Sequence, residues 1–208
     1  DPLEGHTSKS VDHSLTDLRT HAVEMGGLVI DQVGSAVKAL LDPYNPTGST
    51  RHVRFYTSKT LRWQTDPRRC HINWVILDSD WEAEFCRVAE AHPRVLAYAK
   101  NHSLGFEVPY RMGGTQRQYR PDFIVQADDG KGAENPLNLI VEVTGERDKD
   151  KAAKVSTARN LWVPAVNNHG GFGRWAFLEV GDPWDAQNLI RGYLNQFQTD
   201  SNEEATHG

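Results

Sequence analysis

Two short apolar runs, each interrupted by one carboxylate, constrain the fold of this chain more than any other feature. Residues 119–125 read YRPDFIV and residues 139–145 read LIVEVTG. Runs of this length that are rich in β-branched and aromatic residues predict buried strands. A carboxylate in such a strand is costly to desolvate unless a cation or hydrogen-bond donors compensate it, so Asp122 and Glu142 predict a metal site.

The spacing of the two acids supports the same prediction. Asp122 and Glu142 are 20 positions apart (142 − 122), which is enough for one strand, a turn and the return strand. Cross-strand neighbours lie about 4.5 to 5.5 Å apart, so we expect both carboxylates to reach one cation. Magnesium takes oxygen ligands and keeps several waters. A bound water of lowered pKa is a nucleophile for a phosphodiester, so the pair predicts hydrolytic chemistry.

Length and composition favour one globular domain with extensions. The chain has 208 residues, of which 38% are hydrophobic, and this content supplies a sizeable core. Its two cysteines form no Cys-x-x-Cys pair, and no apolar run approaches the roughly 20 residues that cross a bilayer. We therefore expect a reducing, cytoplasmic compartment and no membrane partner. The chain begins at Asp1 rather than Met, and we expect it to be a piece of a longer protein.

The charge is unevenly distributed along the chain. The net charge is −5, yet residues 51–69 contain six basic residues against the single acid Asp66. The basic residues are Arg51, Arg54, Lys59, Arg62, Arg68 and Arg69. A surface polarised in this way holds an anionic polymer in spite of an acidic total. Ordinary solvated charged faces explain the same composition equally well.

Periodicity and turn residues predict the domain organisation. Residues 1–48 are interpreted as an N-terminal extension, with an amphipathic helix over 15–41 and a turn-rich linker, residues 49–200 as the main domain, and 201–208 as a disordered tail. The predicted strands are 53–56, 72–77, 106–110, 119–125, 138–143, 163–166 and 175–180, and the predicted helices are 80–92, 148–162 and 184–197. From Asp80 the main order is helix, three strands, helix, strand, which indicates an α/β core with a mixed sheet.

The acidic segments also carry a resemblance to a known family. Pro121-Asp122, followed after an apolar strand by Glu142-Val143-Thr144, resembles the PD-(D/E)XK nuclease signature. The predicted element order is similar to the restriction-endonuclease-like core of that family. The resemblance is closer still to the nuclease region at the C-terminal end of type III restriction enzyme subunits, where segments similar to 162–167 and 173–177 occur. It covers roughly residues 51–180.

This resemblance implies a metal-dependent DNA endonuclease that uses Mg²⁺, with Mn²⁺ as a possible substitute. Asp122 and Glu142 would ligate the metal, and the carbonyl of Val143 would complete that edge of the site. A further acid on the preceding helix is expected to join them, with Glu82 as the first choice and Glu84 as the rival. Ser79-x-x-Glu82 is also a capping box, and that structural role for Glu82 is weighed equally.

One position departs from the family pattern. Thr144 stands where the signature has the Lys that polarises the attacking water or stabilises charge on the phosphate. Another cation would then take over, or the activity is damaged. Lys149, Lys151 and Lys154 follow in one predicted helix, where Lys151 and Lys154 share a face. Lys154 is the first choice for the catalytic cation, Lys151 the second, and Lys149 is expected to be an ordinary solvated lysine.

The predicted partners follow from the same resemblance. DNA is the expected substrate, with Arg117, Arg120 and Arg174 as candidate phosphate contacts. An ATP-dependent helicase motor in the same parent chain and a modification methyltransferase subunit are the expected protein partners. The alternative is a catalytically impaired module of the same fold that binds DNA or docks on the motor. A hydrolase that uses a His base is a residual possibility, because no Ser or Cys nucleophile has a recognisable setting.

Overall fold

The computed structural model describes residues 50–143 and 149–206. The predicted helix 15–41, the linker after it and Thr144 lie outside these residues. The strands are β1 Arg62–Gln64, β2 Trp74–Ile76, β3 Val95–Lys100, β4 Val108–Met112, β5 Thr115–Tyr119, β6 Phe123–Ala127, β7 Leu137–Val143 and β8 Arg174–Val180. The helices are α1 Asp80–Ala91, α2 Lys149–Thr157, α3 Val163–His169 and α4 Ala186–Thr206, with a π-helix at Ala158–Trp162 and 3₁₀ turns at Thr50–His52 and Pro183–Asp185. None of these helices is long and apolar enough for a bilayer.

The architecture is mixed α/β, built on a four-stranded mixed sheet in the order β3-β6-β7-β8. β3 and β7 both run antiparallel to β6, whereas β8 runs parallel to β7. β1 pairs with β2, and β4 with β5, in two separate two-stranded sheets. The predicted α/β core with a mixed sheet is therefore confirmed at this level.

Helices cover both faces of the main sheet because its central strand is apolar on both sides. Leu139, Ile140 and Val141 in β7 have no exposed surface. Alternate residues of a strand point to opposite faces. One face packs against α1 and α4 in a cluster that includes Phe85, Phe123, Leu139, Val141 and Ile190. The other face packs against the α2, π and α3 segment through Ile140, Trp162, Val166 and Phe177.

The predicted limits of α1 are confirmed, and both have a local cause. The Ser79 side chain accepts a hydrogen bond from the backbone N–H of Glu82 at 3.3 Å, which satisfies one of the free donors at the start of the helix. At the other end His92 is the last residue before Pro93, which restricts His92 to extended conformations. The backbone N–H of His92 still donates to the carbonyl of Val88 at 2.9 Å.

Two predicted strands are wrong, and three strands were not predicted: β1, β3 and all of β5 except Tyr119. Residues 53–56 form no strand, and β1 supplies the pairing for β2 instead. The first strand of the main sheet is β3, whereas the predicted strand 106–110 contributes to β4 in the separate hairpin. Residues 163–166 belong to α3, where Pro164 occupies the first turn and needs no backbone donor.

Pro121 divides the predicted strand 119–125 into two. Tyr119 ends β5 and Phe123 begins β6. Pro121 has no backbone N–H to donate to a ladder, which explains the break. The predicted helix 148–162 is likewise composite, because α2 passes into the π-helix at Ala158–Trp162. α4 continues to Thr206, into the segment predicted as a tail.

Candidate active site

Asp122 and Glu142 lie together at one end of the main sheet. The β6–β7 register pairs Phe123 with Val141. Continued by one residue, this register places Asp122 opposite Glu142. The Oδ2 atom of Asp122 accepts a hydrogen bond from the backbone N–H of Val143 at 2.8 Å. The structure thus brings the two predicted acids next to each other, although Asp122 precedes its strand instead of lying within it.

Tyr119 fixes the side chain of Glu142. Its hydroxyl donates a hydrogen bond to Glu142 Oε2 at 2.5 Å. Tyr119 is only 4% exposed, and burial together with the negative charge of Glu142 raises the pKa of its hydroxyl far above the ordinary range. The hydroxyl therefore remains a donor at any physiological pH. Tyr119 is the first residue of the run YRPDFIV, but no sequence motif assigns it a role.

Burial raises the pKa values of both acids, and the charge of Glu142 adds to the effect on Asp122. Burial, followed by the charge of Glu142, raises the pKa of Asp122 to about 7, in spite of the Val143 hydrogen bond. Burial also raises the pKa of Glu142, against the lowering effects of Tyr119 and Lys154. A carboxylate whose pKa is raised by a neighbouring carboxylate favours a cation between the two. Strongly perturbed acids of this kind are typical of functional sites.

Glu82, the predicted helix acid, is held by a lysine that the sequence analysis missed. The Nζ atom of Lys100 donates to Glu82 Oε2 at 2.7 Å, to Asp78 Oδ2 at 2.7 Å and to the carbonyl of Ile76 at 2.8 Å. Lys100 is 6% exposed and Glu82 4% exposed. The same Glu82 oxygen accepts the backbone N–H of Asp78 at 2.7 Å, so the capping role is present. Glu82 also contributes to the raised pKa of Asp122.

Lys100 and Glu142 approach the end of the sheet from different faces. Lys100 is opposite Phe123 in the β3–β6 register, and the ring of Phe123 contacts that of Phe85 in α1 at 4.8 Å between centroids. Side chains of paired residues share a face, so Lys100 lies on the α1 side with Glu82. Glu142 alternates with Val141 and lies on the α2 side. Both charges act on the pKa of Asp122: that of Glu142 raises it, and that of Lys100 lowers it.

Lys151 and Lys154 of α2 lie on the Glu142 side of the sheet. Lys151 forms an ion pair with Glu179 Oε1 at 2.8 Å, and Glu179 is the parallel-sheet partner of Glu142. Both Lys154 and Lys151 lower the pKa of Glu142, and Lys154 has the larger effect. The structure thus places the first and second choices for the catalytic cation near Glu142. It describes neither Thr144 nor the side chain of Lys149.

The three arginines predicted to contact DNA each pair with a carboxylate of this chain. Arg117 pairs with Asp150 at 2.7 Å, and Arg120 pairs with Glu107 at 2.5 Å. Arg174 binds both oxygens of Asp129, at 2.5 and 2.7 Å. Glu84, the rival helix acid, pairs with Arg87 at 2.5 Å. The DNA contacts of the arginines stay a prediction.

The donor set at the sheet end fits a hard divalent cation. Asp122 and Glu142 each use one oxygen for a hydrogen bond within the protein; among the described residues, none bonds to the other oxygen. Magnesium is typically held by one or two carboxylates, with waters and substrate phosphates at its remaining positions. No group of three or more His, Cys, Asp and Glu side chains within residues 50–143 and 149–206 is arranged to hold a metal. A site here would therefore use two carboxylates, without Glu82.

Comparisons of the chain with protein-family models, with curated proteins and with solved structures found no match. The structure defines the class: a mixed α/β domain with a partly buried acidic pair at one end of its sheet. Any assignment of function depends on the signature at Asp122 and Glu142 and on the geometry around them.

Proposed function

We propose that this chain is a metal-dependent DNA endonuclease domain with a restriction-endonuclease-like core. Its main elements follow the order α1, β3, β6, β7, α2, β8, with the β4–β5 hairpin inserted after β3. Three antiparallel strands followed by a helix and a parallel strand agree with the core order of the PD-(D/E)XK family. The sheet end that carries Asp122 and Glu142 is where the signature of that family has its acids.

The observation that carries the proposal is the uncompensated acidic pair. Asp122 and Glu142 are partly buried and lie opposite each other, and neither forms a salt bridge within the described part of the chain. A purely structural site would neutralise such charges, since an isolated buried carboxylate costs several kcal/mol. A divalent cation supplies the missing charge and fits the oxygen donors.

Each residue of the site has a role in this proposal. Asp122, Glu142 and the carbonyl of Val143 hold Mg²⁺ or Mn²⁺, which supplies Lewis-acid activation of a water and charge neutralisation at the phosphodiester. The Val143 N–H and the Tyr119 hydroxyl each fix one carboxylate oxygen, which directs the other oxygen to the ligand. Lys154 supplies the cation that Thr144 lacks, because it lowers the pKa of Glu142 more than Lys151 does.

DNA cleavage tests the proposal directly. Supercoiled and single-stranded DNA are incubated with the purified chain in Mg²⁺ or Mn²⁺, and nicked and linear products are quantified. Asp122→Asn and Glu142→Gln preserve the shapes of the side chains and their hydrogen-bond acceptors while removing one charge each. We expect each variant to lose about a thousandfold or more of the cleavage rate, because charge at the cation site is removed.

Glu134→Gln is the matched control, since it removes one exposed carboxylate from the β6–β7 loop, at the opposite end of the sheet from the acidic pair. It is purified in the same way and should cleave like the wild type. Equal cleavage by the wild type and by both site variants would show that a contaminant or another site performs the reaction, and the proposal would fail.

The second candidate is a catalytically impaired module that binds DNA or docks on a motor. It is favoured by Thr144 at the Lys position and by the net charge of −5. Calorimetric titration with Mn²⁺ separates the two proposals. Metal binding that disappears in Asp122→Asn favours the nuclease, whereas DNA binding without metal binding favours the module.

The wider setting is part of the same proposal. The domain would act beside an ATP-dependent helicase region of its parent chain and with a modification methyltransferase subunit, in the bacterial cytoplasm. Co-purification of the longer parent protein with that methyltransferase tests this arrangement. A parent chain without a helicase region would contradict it.

A further inference from the structure

A second candidate binding site lies on the β1–β2 side of the molecule. A cavity of about 440 Å³ is lined by Val53, Arg54, Phe55, Tyr56, Thr57, Arg62, Ile72, Asn73, Trp74 and Ile76. We call it the β1–β2 pocket. Its volume falls in the range of about 300 to 1,000 Å³ that small-molecule sites occupy. Its lining contains two arginines and three aromatic rings, and no Asp or Glu.

Within the described structure, no carboxylate neutralises the positive charges that line this pocket. Of the basic residues in segment 51–69, Arg68 is held by Asp66, Arg69 by the carbonyl of Val95, and Lys59 by Asp78. Arg54 and Arg62 line the pocket, and within residues 50–143 and 149–206 neither pairs with a carboxylate. In a chain of net charge −5, a pocket with this lining favours an anionic ligand.

The aromatic groups indicate what kind of anion fits. Tyr56 is fully exposed, at 106% of its reference surface. The guanidinium group of Arg62 lies over the ring of Trp74, 4.6 Å from its centroid. Exposed rings and stacked Arg groups together form a platform on which a flat base stacks, while the arginines contact the flanking phosphates. Asn73 adds an exposed amide with donors and an acceptor for a base edge.

The pocket contacts the segment from Lys100 to His102 at two points. The ring of Phe55 packs edge-on against His102, with centroids 4.5 Å apart. The carbonyl of Ile76 accepts a hydrogen bond from Lys100, which binds Glu82. Ile76, in the wall of the pocket, is therefore in direct contact with the lysine of the Lys100–Glu82 pair.

From these observations we propose that the β1–β2 pocket binds an unpaired base, with its flanking phosphates, of a single DNA strand. The choice of DNA rests on the proposed nuclease function, whereas the preference for an unpaired nucleotide comes from the pocket itself. Bases in a duplex are stacked on each other and do not present a free face to Tyr56 or Trp74. The pocket would hold a strand on the Lys100 side of the sheet end that carries the acidic pair, without contributing to the chemistry.

Fluorescence anisotropy with a labelled oligothymidylate tests this proposal in EDTA, where no cleavage occurs. We expect the wild-type chain to bind it more tightly than a duplex of the same length. Tyr56→Ala should weaken binding about tenfold, because one stacking contact is lost. Arg54→Ala and Arg62→Ala should each reduce the slope of log K against log salt by about 0.7, the value for one phosphate contact on a single strand.

Two control variants match these changes outside the pocket. Arg191→Ala removes one exposed arginine of α4, and Trp184→Ala removes an aromatic ring that is 69% exposed. Both should bind like the wild type. Thermal melting of Tyr56→Ala and Arg54→Ala should match the wild type, since both side chains are exposed.

Three results would overturn the proposal. In the first, the wild type does not bind oligothymidylate. In the second, the pocket variants bind it as tightly as the wild type, and in the third, the wild type binds the duplex more tightly than the single strand. Tighter binding of oligouridylate would overturn the choice of DNA. Because the assay contains no metal, pocket-dependent binding by a chain that never cleaves DNA would reject the nuclease function and retain the pocket.

Discussion

The two ends of the main sheet each bury acidic side chains, but only one end neutralises them. Beyond the end of β6, Asp129 has a side chain with no exposed surface, and both its oxygens bind Arg174 at the start of β8. At the opposite end Asp122 and Glu142 face each other. No Lys or Arg forms a salt bridge with either in the described chain.

The contrast separates a structural charge from a functional one. Burial raises the pKa of Asp129, but the hydrogen bonds and charge of Arg174 outweigh it and bring that pKa below its ordinary value. Burial raises the pKa of Asp122 to about 7, and the charge of Glu142 adds to the effect. The same residue type thus stabilises the fold at one end. At the other end it is left for a ligand to compensate.

The largest effect on stability is expected at the neutralised end. Arg174→Met should lower the free energy of unfolding by about 3 to 5 kcal/mol, because it leaves the Asp129 carboxylate buried without a cation. Urea denaturation at pH 7 measures the change. The double variant Arg174→Met, Asp129→Asn should recover part of the loss. A single variant within about 0.5 kcal/mol of the wild type would show that the pair is not structural.

At the end of the sheet that carries Asp122 and Glu142, removal of a charge is expected to increase the free energy of unfolding. Asp122→Asn should raise the free energy of unfolding by about 2 to 4 kcal/mol at pH 8 without divalent cations. A pKa moved from 3.8 to about 7 corresponds to about 4 kcal/mol at roughly 1.4 kcal/mol per pKa unit. Asn keeps an acceptor for the Val143 N–H, so the hydrogen bond is preserved.

The pH dependence of that difference checks its cause. The folded chain keeps the Asp122 proton up to about pH 7, whereas the unfolded chain releases it near pH 3.8. The wild type therefore loses stability as pH rises between these values, and the difference from Asp122→Asn should vanish near pH 4. Saturating Mg²⁺ should stabilise the wild type and leave the variant unchanged. A difference that is constant with pH would contradict the electrostatic explanation.

The Lys100–Glu82 pair is intermediate between the two ends, because its lysine is buried but Asp78 beside it is exposed to solvent. Lys100→Met should lower the free energy of unfolding by about 2 kcal/mol, less than the loss expected for Arg174→Met. Glu82 still accepts the Asp78 N–H, which limits the cost. A double-mutant cycle with Glu82→Gln measures the coupling; additive losses would mean that the two side chains do not interact.

Local signals were sufficient to predict the acidic pair and the first helix. The apolar settings of Asp122 and Glu142 predict buried carboxylates, and the register that brings them together needs only one strand, a turn and a return strand. Ser79 and Pro93 mark the ends of α1 by capping and by conformational restriction. All of these signals lie within a few residues of the feature that they predict.

The missed features depend on contacts between distant segments. β3 reads VLAYAK, in which alanine gives little strand propensity, and its burial comes from pairing with β6. Lys100 in this run carries the same signal as Asp122, a charge among apolar residues. Arg174 and Asp129 are 45 residues apart, so their pairing could be predicted only from the completed sheet.

The smallest effect on stability is expected for Glu84→Gln. Its comparison with Glu82→Gln tests which of the two acids of α1 acts on the site. Glu84 pairs with Arg87, whose side chain is 56% exposed, three residues along α1. Glu84→Gln should change the free energy of unfolding by less than about 0.5 kcal/mol. It should leave Mn²⁺ binding and DNA cleavage at wild-type levels, because Glu84 has no contact with Lys100, Asp122 or Glu142 among the hydrogen bonds of the described chain. Glu82→Gln, measured in parallel, removes a charge that acts on Asp122 and should shift the pH dependence of metal binding. A loss of cleavage in Glu84→Gln without a loss of stability would reverse the assignment.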